Sequence, residues 1–257
     1  MPIDTFTCFD AHVHVGRWQS PDFGGHGSDL ASVAGVLSAA GFTGALVMPT
    51  DSGDNAGTLS SLQAFKGPLS FRFAPWINPR DASLPAFLEA NAGHIAALKF
   101  HPSFCRLPLT APEWRPFLQH AADRGLPCVV HCGRWQEVAG WSITLGVAAS
   151  LPSVPFVLSH MGGDSPALVA GAATAIRERR LDNAHLGTES IREPWVVGRA
   201  IDAIGCDRVV FGSDHNLNHP RSFLAVIDAL GLSGSERAAI LGGNARRILA
   251  PRAGRTA

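Results

Sequence analysis

The sequence contains no tyrosine and only two lysines, Lys66 and Lys99. Because no phenol is present, proton donation and oxyanion stabilisation would have to come from histidine, lysine or a metal. Basic residues form no long tract, and the longest basic cluster, residues 177–180, suits the solvated C-terminal end of a helix. With a formal net charge of zero, the chain is not expected to bind nucleic acid.

Long apolar runs are also missing. No run reaches the roughly 20 residues needed to cross a bilayer, and no basic segment followed by an apolar one marks a secretory signal. The five cysteines are odd in number and lie mostly in apolar runs, so we expect reduced thiols rather than a disulfide framework or a structural zinc site. These absences predict a cytoplasmic protein without a membrane partner.

The sequence does contain a regular alternation of short apolar runs with longer segments rich in alanine and leucine. Strands that are apolar on both faces, each followed by a helix, indicate a parallel sheet. Eight such units in about 250 residues predict a single α/β domain over residues 1–257, a (β/α)8 TIM barrel. A doubly wound open sheet is the alternative, but no G-x-G-x-x-G follows the first strand and no P-loop is present.

The pattern gives residue bounds for each expected strand and helix. They are Phe6–Val15, Thr43–Met48, Ser70–Ile77, Ile95–His101, Pro127–Cys132, Pro155–His160, Ala184–Glu189 and Arg208–Asp214. The expected helices are Leu30–Ala40, Thr58–Phe65, Ala82–Asn91, Glu113–Arg124, Ile143–Leu151, Pro166–Arg180, Pro194–Ile204, Arg221–Leu230, Ser235–Leu241 and Ala245–Leu249.

Potential metal ligands lie where these strands end. His12 and His14 are two residues apart on the first strand, so they share a face while Val13 and Val15 share the other. Later strands end on further polar side chains: His101, His131, His160 and Asp214. Because the carboxyl ends of barrel strands meet at one mouth, we expect these side chains to converge. Adjacent imidazoles on one face can bind a divalent metal.

This pattern resembles the amidohydrolase superfamily, with HxH ending the first strand, histidines ending the fifth and sixth, and aspartate ending the eighth. Four motifs are similar to the amidohydrolase-related branch of hydrolases, lactonases and decarboxylases. They are Lys99-Phe100-His101-Pro102, Ser159-His160-Met161-Gly162-Gly163, Phe211-Gly212-Ser213-Asp214 and the segment Leu241–Leu249. Together the motifs span nearly the whole chain.

The resemblance implies a ligand set for one divalent metal, namely His12, His14, His131 and Asp214. Zinc is the first choice, with manganese or iron as alternatives. His160 would polarise a substrate carbonyl or act as an acid and base, and Asp214 would take a proton from the metal's water.

Lys99 has two interpretations under this resemblance. In binuclear relatives, a carboxylated lysine ending the fourth strand bridges two metals, and His131 and His160 would hold the second. Here Lys99 precedes His101 by two residues, as in the mononuclear branch, so we expect one metal. Lys99 would then be a catalytic cation that holds a substrate carboxylate or pairs with a neighbouring acid.

Loop residues suggest a small anionic substrate. Arginines follow several predicted strands, where guanidinium forks could bind a carboxylate or simply be solvated: Arg17, Arg106, Arg134, Arg192 and Arg221. Tryptophans in the same loops could line the wall of a ring-binding site or pack against helices: Trp18, Trp135, Trp141 and Trp195. Gly212, on an inward face, leaves room for a close neighbour. A homodimer would fit the base rate for soluble enzymes.

We therefore expect a metal-dependent hydrolase that uses a metal-activated water to cleave a small, carboxylated cyclic ester or amide. The alternative within the same branch is a non-oxidative decarboxylase, a lyase acting on an aromatic or muconate-type acid. A third alternative is a barrel that binds a ligand without catalysis.

Overall fold

In a computed structural model, which describes residues 8–133 and 135–250, strands and helices alternate along the chain. The described strands are β1 (Phe9–Arg17), β2 (Gly27–Ser28), β3 (Gly44–Pro49), β4 (Ser70–Phe73), β5 (Trp76–Ile77), β6 (Leu98–Phe100), β7 (Cys128–Val130), β8 (Phe156–Leu158), β9 (Ala184–Gly187) and β10 (Val209–Val210). The described α-helices are α1 (Leu30–Ala39), α2 (Asn55–Ala64), α3 (Leu84–Ala90), α4 (Pro102–Cys105), α5 (Arg115–Arg124), α6 (Gln136–Ala139), α7 (Trp141–Ser150), α8 (Pro166–Glu178), α9 (Pro194–Ile204), α10 (Pro220–Asp228), α11 (Gly234–Ala238) and α12 (Asn244–Leu249).

The strands close into a TIM barrel, as the sequence predicts. β1, β3 and β4 form one parallel run, β5 to β10 form a second, and the short β2 pairs antiparallel with the end of β1. At one seam Val13 pairs with His215, and Asp214 donates its N–H to the carbonyl of His12 at 3.0 Å. At the other seam Phe73 pairs with Ile95. Counting β4 and β5 as one interrupted strand gives eight positions around the barrel.

Alternation along the strands separates the interior of the barrel from the layer under the helices. Val129, Val157 and Val210 pack together inside, while their strand neighbours join the larger apolar layer against the helices. α12 adds Ala245 and Ile248 to the inner cluster, so this helix covers the end of the barrel opposite the candidate site. The interior is therefore a packed core, and a ligand can enter from one end.

Several strands are shorter than predicted, and for two of them the structure shows a local reason. The segment predicted as Arg208–Asp214 is a strand only over Val209–Val210, since Gly212 donates to the Thr188 hydroxyl and Ser213 to the Asp10 carboxylate, both at 3.0 Å. The predicted Ser70–Ile77 strand is interrupted between β4 and β5 at Pro75, which has no N–H to donate. The predicted residues Phe6 and Thr7 lie outside the described part of the chain.

Local signals place the helices close to their predicted positions. α9 has the predicted bounds, and it begins at Pro194, a residue suited to the first helical turn. Asp29 caps α1 by accepting the N–H of Ser32 at 2.8 Å. The predicted helix Ser235–Leu241 differs, because α11 ends at Ala238 and continues as a π-helical turn. Among the described residues, no helix has both the length and the apolar character needed to cross a bilayer.

Candidate active site

Three potential ligands converge at the open end of the barrel. His12 and His14 lie on β1, and Asp214 follows β10, which places all three beside the seam between these strands. The two Nε2 atoms are 3.2 Å apart, and Asp214 Oδ1 lies 3.6 Å from His12 Nε2 and 3.5 Å from His14 Nε2. All three residues are buried. We call this group the acceptor triad.

Hydrogen-bond partners on the far side of each ring leave lone pairs facing one another. Nδ1 of His14 lies 2.8 Å from the carbonyl of Pro49, and Nδ1 of His12 lies 2.9 Å from Glu189 Oε1. Carbonyl and carboxylate oxygens accept, so each Nδ1 carries the ring proton and each Nε2 is a bare acceptor. Burial, followed by the Lys99 charge, lowers the pKa of His12 well below its usual value, which keeps the ring neutral.

The geometry and chemistry of the acceptor triad fit a divalent cation. A cation bound at about 2.1 Å with tetrahedral angles separates its ligands by about 3.4 Å, close to the separations within the triad. Asp214, whose Oδ1 faces both Nε2 atoms, supplies a carboxylate as the third donor. The donor set is thus two neutral imidazoles and one carboxylate, which suits zinc and similar metals. Within the described residues, these three form the group of metal-binding side chains with donors close enough to share one ion.

A bulge in β1 turns the two histidines into the barrel. Phe9 and Ala11 also pack in the inner cluster, so the register of β1 shifts between Asp10 and Val13 to bring His12 to the same side. Asp10 stabilises the bulge by accepting the N–H of His12 at 3.1 Å and that of Ser213 at 3.0 Å. Val13 and Val15 pack outward, as predicted from alternation.

Lys99 lies in the interior beside the acceptor triad. Its Nζ is 3.2 Å from His12 Nε2, and its side chain is 1% exposed. Burial lowers the pKa of Lys99 to about 8, although the negative charges of Asp214 and Glu189 act in the opposite direction. The lysine therefore adds one positive charge, or one neutral donor, at the edge of the site.

His131 and His160 form a second pair of imidazoles. His160 Nε2 lies 3.1 Å from His131 Nδ1, and the two rings meet edge to face. His160 Nδ1 is 3.3 Å from the carbonyl of Glu189, so this nitrogen carries the proton and Nε2 is the basic atom. His131, expected as a metal ligand, is thus placed against His160, and its role as a ligand stays a prediction.

His160 is presented by a tight turn rather than by the end of a strand. β8 stops at Leu158, and His160 and Met161 have φ of 56° and 52°.

His101 supports the imidazole of His131. It stacks on His131 with ring centroids 3.8 Å apart, and its Nδ1 accepts the N–H of Phe104 at the start of α4.

Glu189 was not among the predicted site residues, yet it contacts both imidazole groups. It is 1% exposed, its Oε1 faces His12, and its Oε2 accepts the N–H of His160 at 3.0 Å. Burial raises the pKa of its carboxyl group. The signal was available, because Glu189 ends the predicted strand Ala184–Glu189 just as the other site residues end theirs.

Aromatic side chains line one side of the site. Trp18 is buried, with its ring edge toward His14 at 4.8 Å between centroids, and it donates from Nε1 to Asn216 at 2.9 Å. Trp76 stacks on His101 at 5.0 Å, and Phe104 lies against both tryptophans. We call Trp18, Trp76 and Phe104 the aromatic wall.

The other loop tryptophans do not join this wall by any ring contact in the described residues. Trp141 packs between α7 and α8, with its ring beside Gly171, which leaves it a structural role. Trp135 and Trp195 are about half exposed. The guanidinium carbon of Arg199 lies over the ring of Trp195, 5.4 Å from its centroid.

The loop arginines are dispersed. The guanidinium of Arg221 donates a hydrogen bond to the carbonyl of Ala39 at the end of α1. This contact lies away from the barrel mouth, so Arg221 is a structural residue. Arg192 reaches Asn218 at 3.4 Å, and Asn218 in turn lies 3.5 Å from the hydroxyl of Ser190, which donates to Asp214. Arg106 is exposed, Arg17 lies beside Gly25, and Arg134 lies outside the described residues.

Parallel strands whose ends carry imidazoles and carboxylates around a space suited to a cation define a TIM barrel of the metal-dependent hydrolase type. The chain belongs to the amidohydrolase family, because a family model described as Amidohydrolase matches residues 10–250. It is thus an enzyme of that family. No curated protein matches the chain.

Solved structures show the same fold. A zinc-bound amidohydrolase from Burkholderia multivorans has a TM-score of 0.75 at 15% identity, covering 95% of this chain and 99% of that one. A candidate 2-pyrone-4,6-dicarboxylic acid hydrolase from Pseudomonas putida has a TM-score of 0.71 at 20% identity, covering 95% and 97%. The 5-carboxyvanillate decarboxylase from Sphingomonas paucimobilis has a TM-score of 0.73 at 14% identity, covering 96% and 100%. At these identities the likeness concerns the fold alone.

Proposed function

We propose that this enzyme is a metal-dependent hydrolase that cleaves a small, carboxylated cyclic ester or amide. The observation that carries the proposal is the acceptor triad, in which two bare imidazole nitrogens and a carboxylate oxygen face one another at 3.2–3.6 Å. Such a buried arrangement of lone pairs is stabilised by a cation. A divalent ion held by His12, His14 and Asp214, zinc in the first place, supplies a Lewis acid that activates water and polarises a carbonyl.

The residues around the triad divide the proton transfers between them. Asp214 accepts a proton from the attacking water and passes it to the leaving group, while the Ser190 hydroxyl, 3.4 Å from Oδ2, holds the carboxylate in place. His160 takes up or returns a proton at Nε2, the nitrogen that its contact with the Glu189 carbonyl leaves basic. His131, as a further ligand, rests on the family resemblance rather than on a contact with the triad.

Lys99 and the aromatic wall support the assignment of the substrate. The Lys99 ammonium is the buried cation beside the triad, and it would pair with a substrate carboxylate or with the developing oxyanion. Trp18, Trp76 and Phe104 give one side of the site an aromatic, apolar character that suits a planar ring, and Phe104 is its exposed member. A small ring that bears a carboxylate satisfies both features.

The aromatic wall also favours a second candidate, a non-oxidative decarboxylase of an aromatic or muconate-type acid. A planar conjugated acid would lie against the same rings, and His160 would deliver a proton to carbon before carbon dioxide leaves. The neighbours with this fold include proteins described as hydrolases and as decarboxylases. We place hydrolysis first and keep decarboxylation as the alternative.

A substrate panel separates these reactions. Zinc-loaded enzyme would be incubated with carboxylated lactones, cyclic amides and hydroxybenzoates, with ring opening and carbon dioxide measured in parallel. The proposal predicts ring opening, which Asp214→Asn abolishes and His94→Ala, a change at an exposed histidine, leaves intact. Carbon dioxide release without ring opening would establish the decarboxylase. Tight binding without turnover would favour a binding protein.

A further inference from the structure

The carboxylate of Glu189 joins two parts of the site, the acceptor triad and the turn that carries His160. Oε1 lies 2.9 Å from His12 Nδ1, and Oε2 lies 3.0 Å from the main-chain nitrogen of His160. The carbonyl of the same residue faces His160 Nδ1 at 3.3 Å. One residue, two positions after β9, thereby contacts an imidazole of the acceptor triad and the turn that carries His160.

Both partners of this carboxylate are donors. The main-chain N–H of His160 can only donate, and His12 donates from Nδ1 when its Nε2 is the bare atom of the acceptor triad. The Ser159 hydroxyl, 3.3 Å from the same Nδ1, could otherwise donate to it and favour the opposite tautomer. Glutamate supplies two acceptor oxygens, whereas glutamine would supply one acceptor and one donor.

The barrel wall leaves space for this carboxylate at two glycines. A Cβ at Gly187 would lie 2.4 Å from Oε2, and a Cβ at Gly212 would lie 2.4 Å from Oε1. Any other residue at either position would push the carboxylate away from its partners. The space that Gly212 leaves on its inward face is therefore occupied by Glu189.

We propose that Glu189 is a positioning residue, which keeps the His12 proton on Nδ1, aims the Nε2 lone pair at the cation site and anchors the turn that holds His160. The inference rests on the proposed function in taking His12 as a metal ligand. Outer hydrogen-bond partners of this kind fix the tautomer and orientation of a ligand, and losing one weakens metal binding by about 10- to 100-fold.

Glu189→Gln tests the role of the carboxylate at constant size. We would measure zinc affinity by competition with a chelator, and the His12 tautomer in metal-free protein by ¹⁵N NMR of labelled histidine. We expect affinity to fall by about 10- to 100-fold and the Nδ1–H form of His12 to lose its predominance. Glu193→Gln, the same change at an exposed neighbour, should alter neither quantity.

Gly212→Ala provides a second test, in which neither Glu189 nor any of the proposed metal ligands is mutated. Its Cβ should displace the carboxylate and reproduce both effects, whereas Gly35→Ala, with open space around the added Cβ, should have none. Unchanged affinity and tautomer in Glu189→Gln would overturn the proposal. If wild-type protein bound no metal, the proposed function would fail, and the tautomer of His12 would still decide the role of Glu189.

Discussion

Lys99 Nζ lies 3.2 Å from His12 Nε2, the same nitrogen that faces His14 and Asp214. A bound cation and a Lys99 N–H would both use the single lone pair of this atom. The barrel therefore holds a positive charge at the edge of its candidate cation site. A metal that binds there must move the Lys99 ammonium away from His12 Nε2 or cause it to lose its proton. The charge of Lys99 should therefore lower the affinity of the site for a metal.

Replacing Lys99 with methionine should strengthen metal binding at pH 7. Two unit charges about 4 Å apart repel by about 4 kcal/mol at the effective dielectric of a protein, so we expect affinity to rise by at least about tenfold. Turnover should fall, because the cation that faces the substrate is lost. Isothermal titration with zinc checks the affinity, with Lys66→Met, at the exposed second lysine, as the control. An unchanged or weaker affinity would show that Lys99 does not compete.

Asp10 should make the metal-free protein less stable as the pH rises. Burial raises the pKa of Asp10 to about 7, despite hydrogen bonds from Ser213 and His12 that lower it. Between the unfolded value of 3.8 and this folded value, only the unfolded state ionises, so the folded state binds the extra proton and loses its advantage with rising pH. From pH 5 to pH 8 the loss should be about 3 kcal/mol.

Asp10→Asn removes this titration and keeps an oxygen to accept both N–H groups. The stability of this variant relative to wild type, measured by urea unfolding, should therefore increase from pH 5 to pH 8. Asp22→Asn, at an exposed position, should show a flat difference. A flat difference for Asp10→Asn as well would mean that the carboxyl is ionised throughout.

Trp18→Leu should weaken substrate binding more than it slows turnover. The ring contacts His14 and Phe104, and its Nε1 donates to Asn216, so leucine removes both the flat face and the donor. We expect KM to rise by about tenfold with a smaller change in kcat, since one aromatic contact contributes about 0.5–1.5 kcal/mol. Trp195→Leu, at a half-exposed tryptophan, is the matched control. Equal effects of both variants would remove Trp18 from the substrate site.

Features set by local pattern were predictable from the sequence. His12 and His14 share a face because side chains in a strand alternate, and Val13 and Val15 pack outward for the same reason. The barrel followed from the repeated strand-and-helix pattern. Asp214 was expected beside the two histidines because strand ends meet at one mouth, and its Oδ1 lies within 3.6 Å of both Nε2 atoms.

Features set by distant partners were not predictable. The β1 bulge depends on Asp10 and Ser213, which are 203 residues apart in sequence, and the pairing of His131 with His160 depends on the turn after β8. The contact of Glu189 with His12 spans 177 residues. The position of Glu189 at a strand end was visible in the sequence, but its contacts depend on strand register and backbone turns, which the residue pattern does not give.

The most direct test of the central claim is the metal content of purified protein after zinc loading and desalting, compared between wild type, His14→Ala and His94→Ala. We expect about one zinc per chain in wild type and in His94→Ala, and almost none in His14→Ala, because that variant lacks one of the three triad ligands. Equal metal in all three proteins, or none in wild type, would contradict the cation site at His12, His14 and Asp214.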